Sequence, residues 1–64
     1  MTRINASSAA SDSRNAGFWY SADGQSSIDM TGATAAEAVS ELLAQCTTDA
    51  QRADILAGEI EVAE

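Results

Sequence analysis

Gly17-Phe18-Trp19-Tyr20-Ser21-Ala22-Asp23-Gly24-Gln25-Ser26-Ser27-Ile28-Asp29-Met30-Thr31 is the stretch that decides the fold. Three consecutive aromatics favour a pleated strand and supply most of the large apolar area in the chain. Asp23-Gly24 separates them from a second run, Ser27 to Thr31, that alternates polar and apolar residues. Asp-Gly at such a junction is a hairpin signal, because glycine readily enters the left-handed backbone region that tight turns require. Two registers are open, since a slip of one residue exchanges the faces of a strand. A three-residue loop, Ala22-Asp23-Gly24, sets Phe18 opposite Ile28. It gathers Phe18, Tyr20, Ile28 and Met30 on one face and leaves Trp19 and Asp29 on the other. A two-residue loop, Asp23-Gly24, pairs Trp19 with Ile28 and turns the indole inward. The first collects more apolar area on one face and is the expected register.

Beyond Gly32 the period changes from two to that of a helix. Thr34-Ala35-Ala36-Glu37 has the spacing of a capping box, in which a hydroxyl and a carboxylate satisfy amides that the first helical turn leaves unpaired. Ala35, Ala38, Val39, Leu42, Leu43 and Cys46 then fall on one stripe, predicting a helix to about Gln45 or Cys46. Thr48-Asp49-Ala50-Gln51 repeats the cap and opens a second helix that Gly58 ends. Glu59-Ile60-Glu61-Val62 alternates with period two, which predicts a third strand with both glutamates outward. Continuation of the helix past Gly58 is the alternative. The expected class is α+β: a small antiparallel or mixed sheet in the order β-β-α-α-β, with two helices packed on one face.

Upstream, residues 2–15 are mostly Ser, Ala, Asn and Asp, with Ile4 as the one large apolar residue. Such a composition buries too little area to fold alone. Residues 1–15 are therefore expected as a disordered Ser/Ala-rich arm, and residues 16–64 as a single domain. Docking of a short edge strand around Ile4 is the alternative.

A 64-residue chain holds one domain that buries only about 60% of its unfolded surface. The single cysteine, Cys46, excludes an internal disulfide, so packing or self-association must supply the stability, as a monomer or a weak homodimer. No apolar run approaches the ~20 residues needed to span a bilayer. The first ten residues lack the apolar centre of a secretory signal. A cytoplasmic protein with no membrane partner is expected, which also suits a lone thiol.

Charge is concentrated. Residues 1–22 carry Arg3, Arg14 and Asp12, a net of +1; residues 23–64 carry nine acids against Arg52, a net of −8; together they give −7. Direct nucleic-acid binding is disfavoured, because phosphate contacts require Lys and Arg. The chain has no histidine and no lysine. Cys46 lies on an apolar helix stripe, and the four glycines stand singly at turns and caps, where no phosphate cradle can form. The residues point to a binding protein and away from an enzyme, with no cofactor. Asp23 to Asp29 looks like half of a calcium loop but lacks the acidic spacing and terminal glutamate of an EF-hand, so no metal is expected.

What the acids can do is stand where a nucleic acid would hold its phosphates, and so occupy a basic groove. Glu59 and Glu61 would lie about 6.6 Å apart on one strand face, and Glu37 and Glu41 about 6 Å apart on one helix face. Asp29, and Asp23 at the hairpin tip, extend this set. Ordinary solvated faces of a strand and a helix would have the same pattern. Trp19, exposed in the expected register, is the candidate anchor, since interface hot spots are enriched in tryptophan.

A short acidic chain with an aromatic strand, an Asp23-Gly24 hairpin and helices opened by Thr34-Ala35-Ala36-Glu37 and Thr48-Asp49-Ala50-Gln51 resembles small phage-encoded anti-CRISPR proteins, particularly inhibitors of type I systems. The resemblance covers about residues 16–64 and rests on size, charge and element order. It implies a stoichiometric inhibitor that binds a subunit of a CRISPR-Cas effector complex, or its nuclease, in the host cytoplasm. It further implies mimicry of DNA at a Lys/Arg-lined site, so that target DNA is blocked. A small phage structural or regulatory module that contacts its partner through the aromatic hairpin is the alternative.

Overall fold

Aromatic and β-branched residues fit a pleated surface, and they form the centre of the sheet. The computed structural model describes residues 1–64. In it β2 (Ala16–Tyr20) and β3 (Ser27–Asp29) pair antiparallel, with Phe18 opposite Asp29, Trp19 opposite Ile28 and Tyr20 opposite Ser27. The Ser21 amide donates to the Ser26 carbonyl at 2.9 Å, closing a loop over residues 22–25 with Gly24 at φ 74°. The Asp23 carboxylate stiffens this loop by accepting from the Gln25 amide at 2.9 Å and the Ser21 hydroxyl at 2.7 Å. This loop keeps the parity of the two-residue turn, so the expected pairing of Phe18 with Ile28 is corrected. Trp19 faces inward and is 6% exposed, whereas Phe18 is 36% exposed. The reason lies outside the hairpin, because β2 has a second neighbour that places Ile60 beside Trp19.

That neighbour is β4 (Glu59–Val62), the expected final strand. It occupies an interior position in a four-stranded sheet of order β1-β4-β2-β3, antiparallel to both partners. Ile60 and Val62 are fully buried. An interior strand needs hydrogen-bonding partners on both sides, and the second comes from the start of the chain. β1 (Thr2–Asn5) pairs with β4, setting Arg3 opposite Glu61 and Ile4 opposite Ile60. A one-turn helix, α1 (Ala6–Ala9), follows; the Asn5 side chain caps it by accepting from the Ser7 amide at 2.9 Å.

Residues 1–15 are therefore part of the folded unit and not a disordered arm. Their area is small, but Ala6 and Ala9 are fully buried. Their backbone also ties three elements together: Arg14 O accepts from the Ala35 amide at 2.8 Å, Asp12 O from Ala36 at 3.0 Å and Asn15 O from Ala63 at 2.9 Å. The element order is β-α-β-β-α-α-β. The expected β-β-α-α-β omitted the first strand and helix.

The two longer helices follow their caps. Thr34 Oγ1 accepts from the Glu37 amide at 3.2 Å and opens α2 (Ala35–Ala44), without a return bond from the Glu37 carboxylate. Thr48 and Gln51 complete the reciprocal box at α3 (Asp49–Ala57). Gly58 ends α3 with an extended backbone, φ −76°. Glycine is required there for space: a Cβ would lie 2.4 Å from the Tyr20 carbonyl oxygen and 2.8 Å from Trp19 Nε1. Ala35, Ala38, Val39 and Leu42 of α2 pack on Trp19, Ile60 and Val62. Half of the ten buried core residues are alanine, so the helices approach the sheet closely and one face of the sheet stays uncovered.

Candidate functional site

The uncovered face takes the outward residues of each strand: Arg3 and Asn5 from β1, Glu59 and Glu61 from β4, Phe18 and Tyr20 from β2, Ser27 and Asp29 from β3. At its centre the Arg3 guanidinium carbon lies 3.6 Å from the centre of the Tyr20 ring. Arg3 Nε is 4.0 Å from Glu61 Oε2, to which the Tyr20 hydroxyl donates at 3.5 Å. Phe18 leans on Tyr20 with ring centres 6.1 Å apart. Glu61 is thus partly covered and partly neutralised, whereas Glu59 on the same strand is exposed and has no cation beside it. The two glutamates share a face as expected but do not act alike.

The other arginines are also engaged, Arg14 with Asp12 and Arg52 with Asp49. Three of the ten acids therefore face an arginine. The remaining seven, Asp23, Asp29, Glu37, Glu41, Asp54, Glu59 and Glu64, match the net charge of −7. They fall in separate places. Asp29 and Glu59 lie on the open sheet face, Glu37 and Glu41 on the outer face of α2, and Glu64 beside Thr2. No group of three or more acidic or cysteine side chains converges in metal-holding geometry.

Hydrogen bonds favour the ionised form of three of these acids, with the Thr2 hydroxyl first among the causes that hold the Glu64 carboxyl below its ordinary value. The Gln25 amide and then the Ser21 hydroxyl hold the Asp23 carboxyl below its ordinary value. The Thr31 hydroxyl, together with its amide at 2.8 Å, does the same for Asp29.

Asp23 and Asp54 share a groove. An open hollow of about 490 Å³ between the hairpin loop and α3 is lined by Trp19, Ser21, Ala22, Asp23, Ser26 and Asp54. A second hollow of about 340 Å³ also touches Asp54 and runs under β3, lined by Ile28, Leu42, Cys46, Ile55 and two glutamines. Trp19 is the wall of the first hollow and not an anchor. Its Nε1 donates to the Ile55 carbonyl at 3.2 Å, and the expectation of an exposed indole is corrected. The exposed aromatic of the hairpin is its neighbour Phe18. Cys46 is half-buried, with its thiol donating to the Leu42 carbonyl at 3.3 Å.

The structure thus brings Asp29, Glu59 and Glu61 onto one face, puts Glu37 and Glu41 on another, and sets Asp23 at the groove. Sequence reasoning missed Asp54, Ile28 and Arg3. Asp54 stands on the polar side of a helix like any solvated acid. Arg3 alternates with Ile4, and that was the one available sign of a strand whose outward residue would face Glu61.

No helix is long and apolar enough to cross a membrane. No protein-family model matches the chain, and no curated protein or solved structure matches it either.

Proposed function

We propose that the protein is a stoichiometric inhibitor that presents carboxylates to a basic nucleic-acid-binding site on another protein. The observation that supports this reading is the charge arrangement: each arginine is consumed by an internal acid, and seven acids have no arginine partner. Unbalanced surface charge of one sign speeds encounter with surfaces of the other and repels nucleic acid and anionic lipid. The resemblance to anti-CRISPR proteins of type I systems gives the finer proposal. The basic site then belongs to a CRISPR-Cas effector complex in the host cytoplasm, and occupation of it excludes target DNA.

The test is displacement of target DNA from a purified type I effector complex by the full chain. The triple variant Glu37→Lys/Glu41→Lys/Glu59→Lys changes the net charge from −7 to −1 at exposed positions, where substitutions ordinarily alter stability by less than about 0.5 kcal/mol. Displacement should be lost in the variant and should weaken steeply with salt in the wild type. Equal displacement by both proteins would reject the reading.

A second reading, a small phage structural or regulatory module, is favoured by Phe18, 36% exposed beside Tyr20 on the open sheet face. Its contact would be apolar. Phe18→Ala would then abolish partner binding, and salt would leave it nearly unchanged.

A further inference from the structure

The edges of the sheet differ in charge and in what lies beneath them. β1 is one edge and β3 the other. The Ser21 amide bonds Ser26 O, and the Met30 amide bonds Gly17 O at 2.7 Å. Because antiparallel ladders alternate, residues 26, 28 and 30 direct their backbone groups toward β2. Ser27 and Asp29 direct theirs away from the sheet, where no strand takes them up. An edge with open N–H and C=O groups accepts an added strand. At β1 the corresponding positions are Arg3 and Asn5, so that edge carries a cation, whereas the β3 edge carries the ionised Asp29.

Beneath β3 the helices leave apolar surface uncovered. Ile28 points to the helix side and is 40% exposed, and it shares the 340 Å³ hollow with Leu42 and Ile55. Asp54 borders both this hollow and the 490 Å³ one that ends at Asp23. The site therefore joins open backbone groups, an apolar floor and three acids without an arginine partner. A second copy of this chain fits poorly, since it would bring its own −7 charge to an already acidic edge.

We propose that the β3 edge and the groove under it dock an extended cationic segment of the partner protein. The segment adds as a fifth strand about 4.8 Å from β3, bonded to Ser27 and Asp29. One apolar side chain lies beside Ile28, and a Lys or Arg meets Asp54. This rests on the reading that the partner is basic, and it names what that partner offers and where.

The test titrates the ¹⁵N-labelled full chain with the peptide Lys-Ser-Val-Ser-Lys, whose valine and lysines share the groove side while its serines stand opposite Ser27 and Asp29, following amide shifts and the emission of Trp19, which walls the groove. The expected result is shift changes centred on Ser27, Asp29 and Asp54 together with altered Trp19 emission. Lys-Pro-Val-Pro-Lys has the same charge and the same groove-side residues but lacks the two amides that face Ser27 and Asp29, and it should bind at least about fivefold more weakly. Asp23→Lys/Asp54→Lys should weaken the serine peptide by about tenfold, as expected when exposed pairs become like-charge contacts.

Equal binding of the two peptides, shifts confined to α2 or to the open sheet face, or self-association through β3 would each overturn the docking site. Full displacement of DNA by Asp23→Lys/Asp54→Lys would also overturn it while leaving the proposed function intact. Binding at β3 by a protein that fails to displace DNA would support the site and reject that function.

Discussion

Replacing Gly58 with alanine would drive a methyl group to 2.4 Å from the Tyr20 carbonyl oxygen and within 3 Å of two atoms of the Trp19 indole. The backbone on both sides is fixed. The Gly58 carbonyl accepts from Ala6 at 2.9 Å, its amide donates to Ile55 at 3.2 Å, and Ile55 O also holds Trp19 Nε1. Relief of the clash must move the α3–β4 junction against β2. Overpacking of this kind costs about 1–3 kcal/mol, and a strained or broken hydrogen bond adds about 0.5–1.5 kcal/mol. Alanine returns about 0.4–1 kcal/mol by restricting the unfolded chain, leaving a net loss of about 0.5–4 kcal/mol with a middle value of about 2 kcal/mol. A chain of this length has roughly 3–10 kcal/mol in all, and each kcal/mol moves Tm by about 4–8 °C in so small a domain. Thermal unfolding followed by circular dichroism should therefore show Tm lowered by about 8–16 °C, with Trp19 emission perturbed in the folded state. Gly24→Ala is the contrast. Gly24 has φ 74° and nothing within 4 Å of where a methyl group would sit, so only the left-handed backbone is penalised, by about 1–2 kcal/mol. A Gly58→Ala protein within about 2 °C of wild type would refute the packing argument at this junction.

Thr48→Ala should cost about 1 kcal/mol by chemical denaturation and more than Thr34→Ala, because only Thr48 stands in a complete reciprocal box. Equal losses would contradict this. Deletion of residues 2–9 should abolish cooperative unfolding, since it bares the β4 edge and removes Ala6 and Ala9 from the core; retention of the wild-type transition would restore the view of a dispensable arm. Acid should erase the contribution of Asp12, whose carboxyl is held below the ordinary value of 3.8, first by the Arg14 side chain and then by the Arg14 amide. A depressed native pKa means that the unfolded chain binds more protons in acid, so this stability is present above the ordinary value and lost as pH falls through the native one. The Tm difference between wild type and Asp12→Asn should accordingly be seen at about pH 6 and shrink by about pH 3; a gap that widens in acid would reverse the sign.

The parts of the fold legible in the sequence are those written in local chemistry. Thr34 and Thr48 begin helices through hydroxyls that reach amides three residues on, and Glu59 to Val62 alternates as a half-buried strand must. The hairpin was legible, but its register was not. The burial of Trp19 is settled by Ile60, a residue far along the chain that enters on the other side of β2. The opening residues misled for a related reason. Their side-chain area is small, and what holds them is backbone pairing to an interior strand and the fit of two alanines, neither of which composition reveals. The candidate site divides in the same way. Exposed acids such as Glu37, Glu41 and Glu59 are placed by their own helix or strand, whereas the engagement of Glu61 by Arg3 and Tyr20 depends on which strands become neighbours.

The central claim, that a protein with seven acids lacking arginine partners presents carboxylates to a basic nucleic-acid site, is tested most directly by competition. Target DNA bound to a type I effector complex is challenged with increasing amounts of the full chain at two salt concentrations. The account predicts that DNA and protein exclude one another, that protein affinity falls as salt rises, and that the triple Glu-to-Lys variant at 37, 41 and 59 does not compete. A ternary complex holding both DNA and protein, with affinity indifferent to salt, would contradict it.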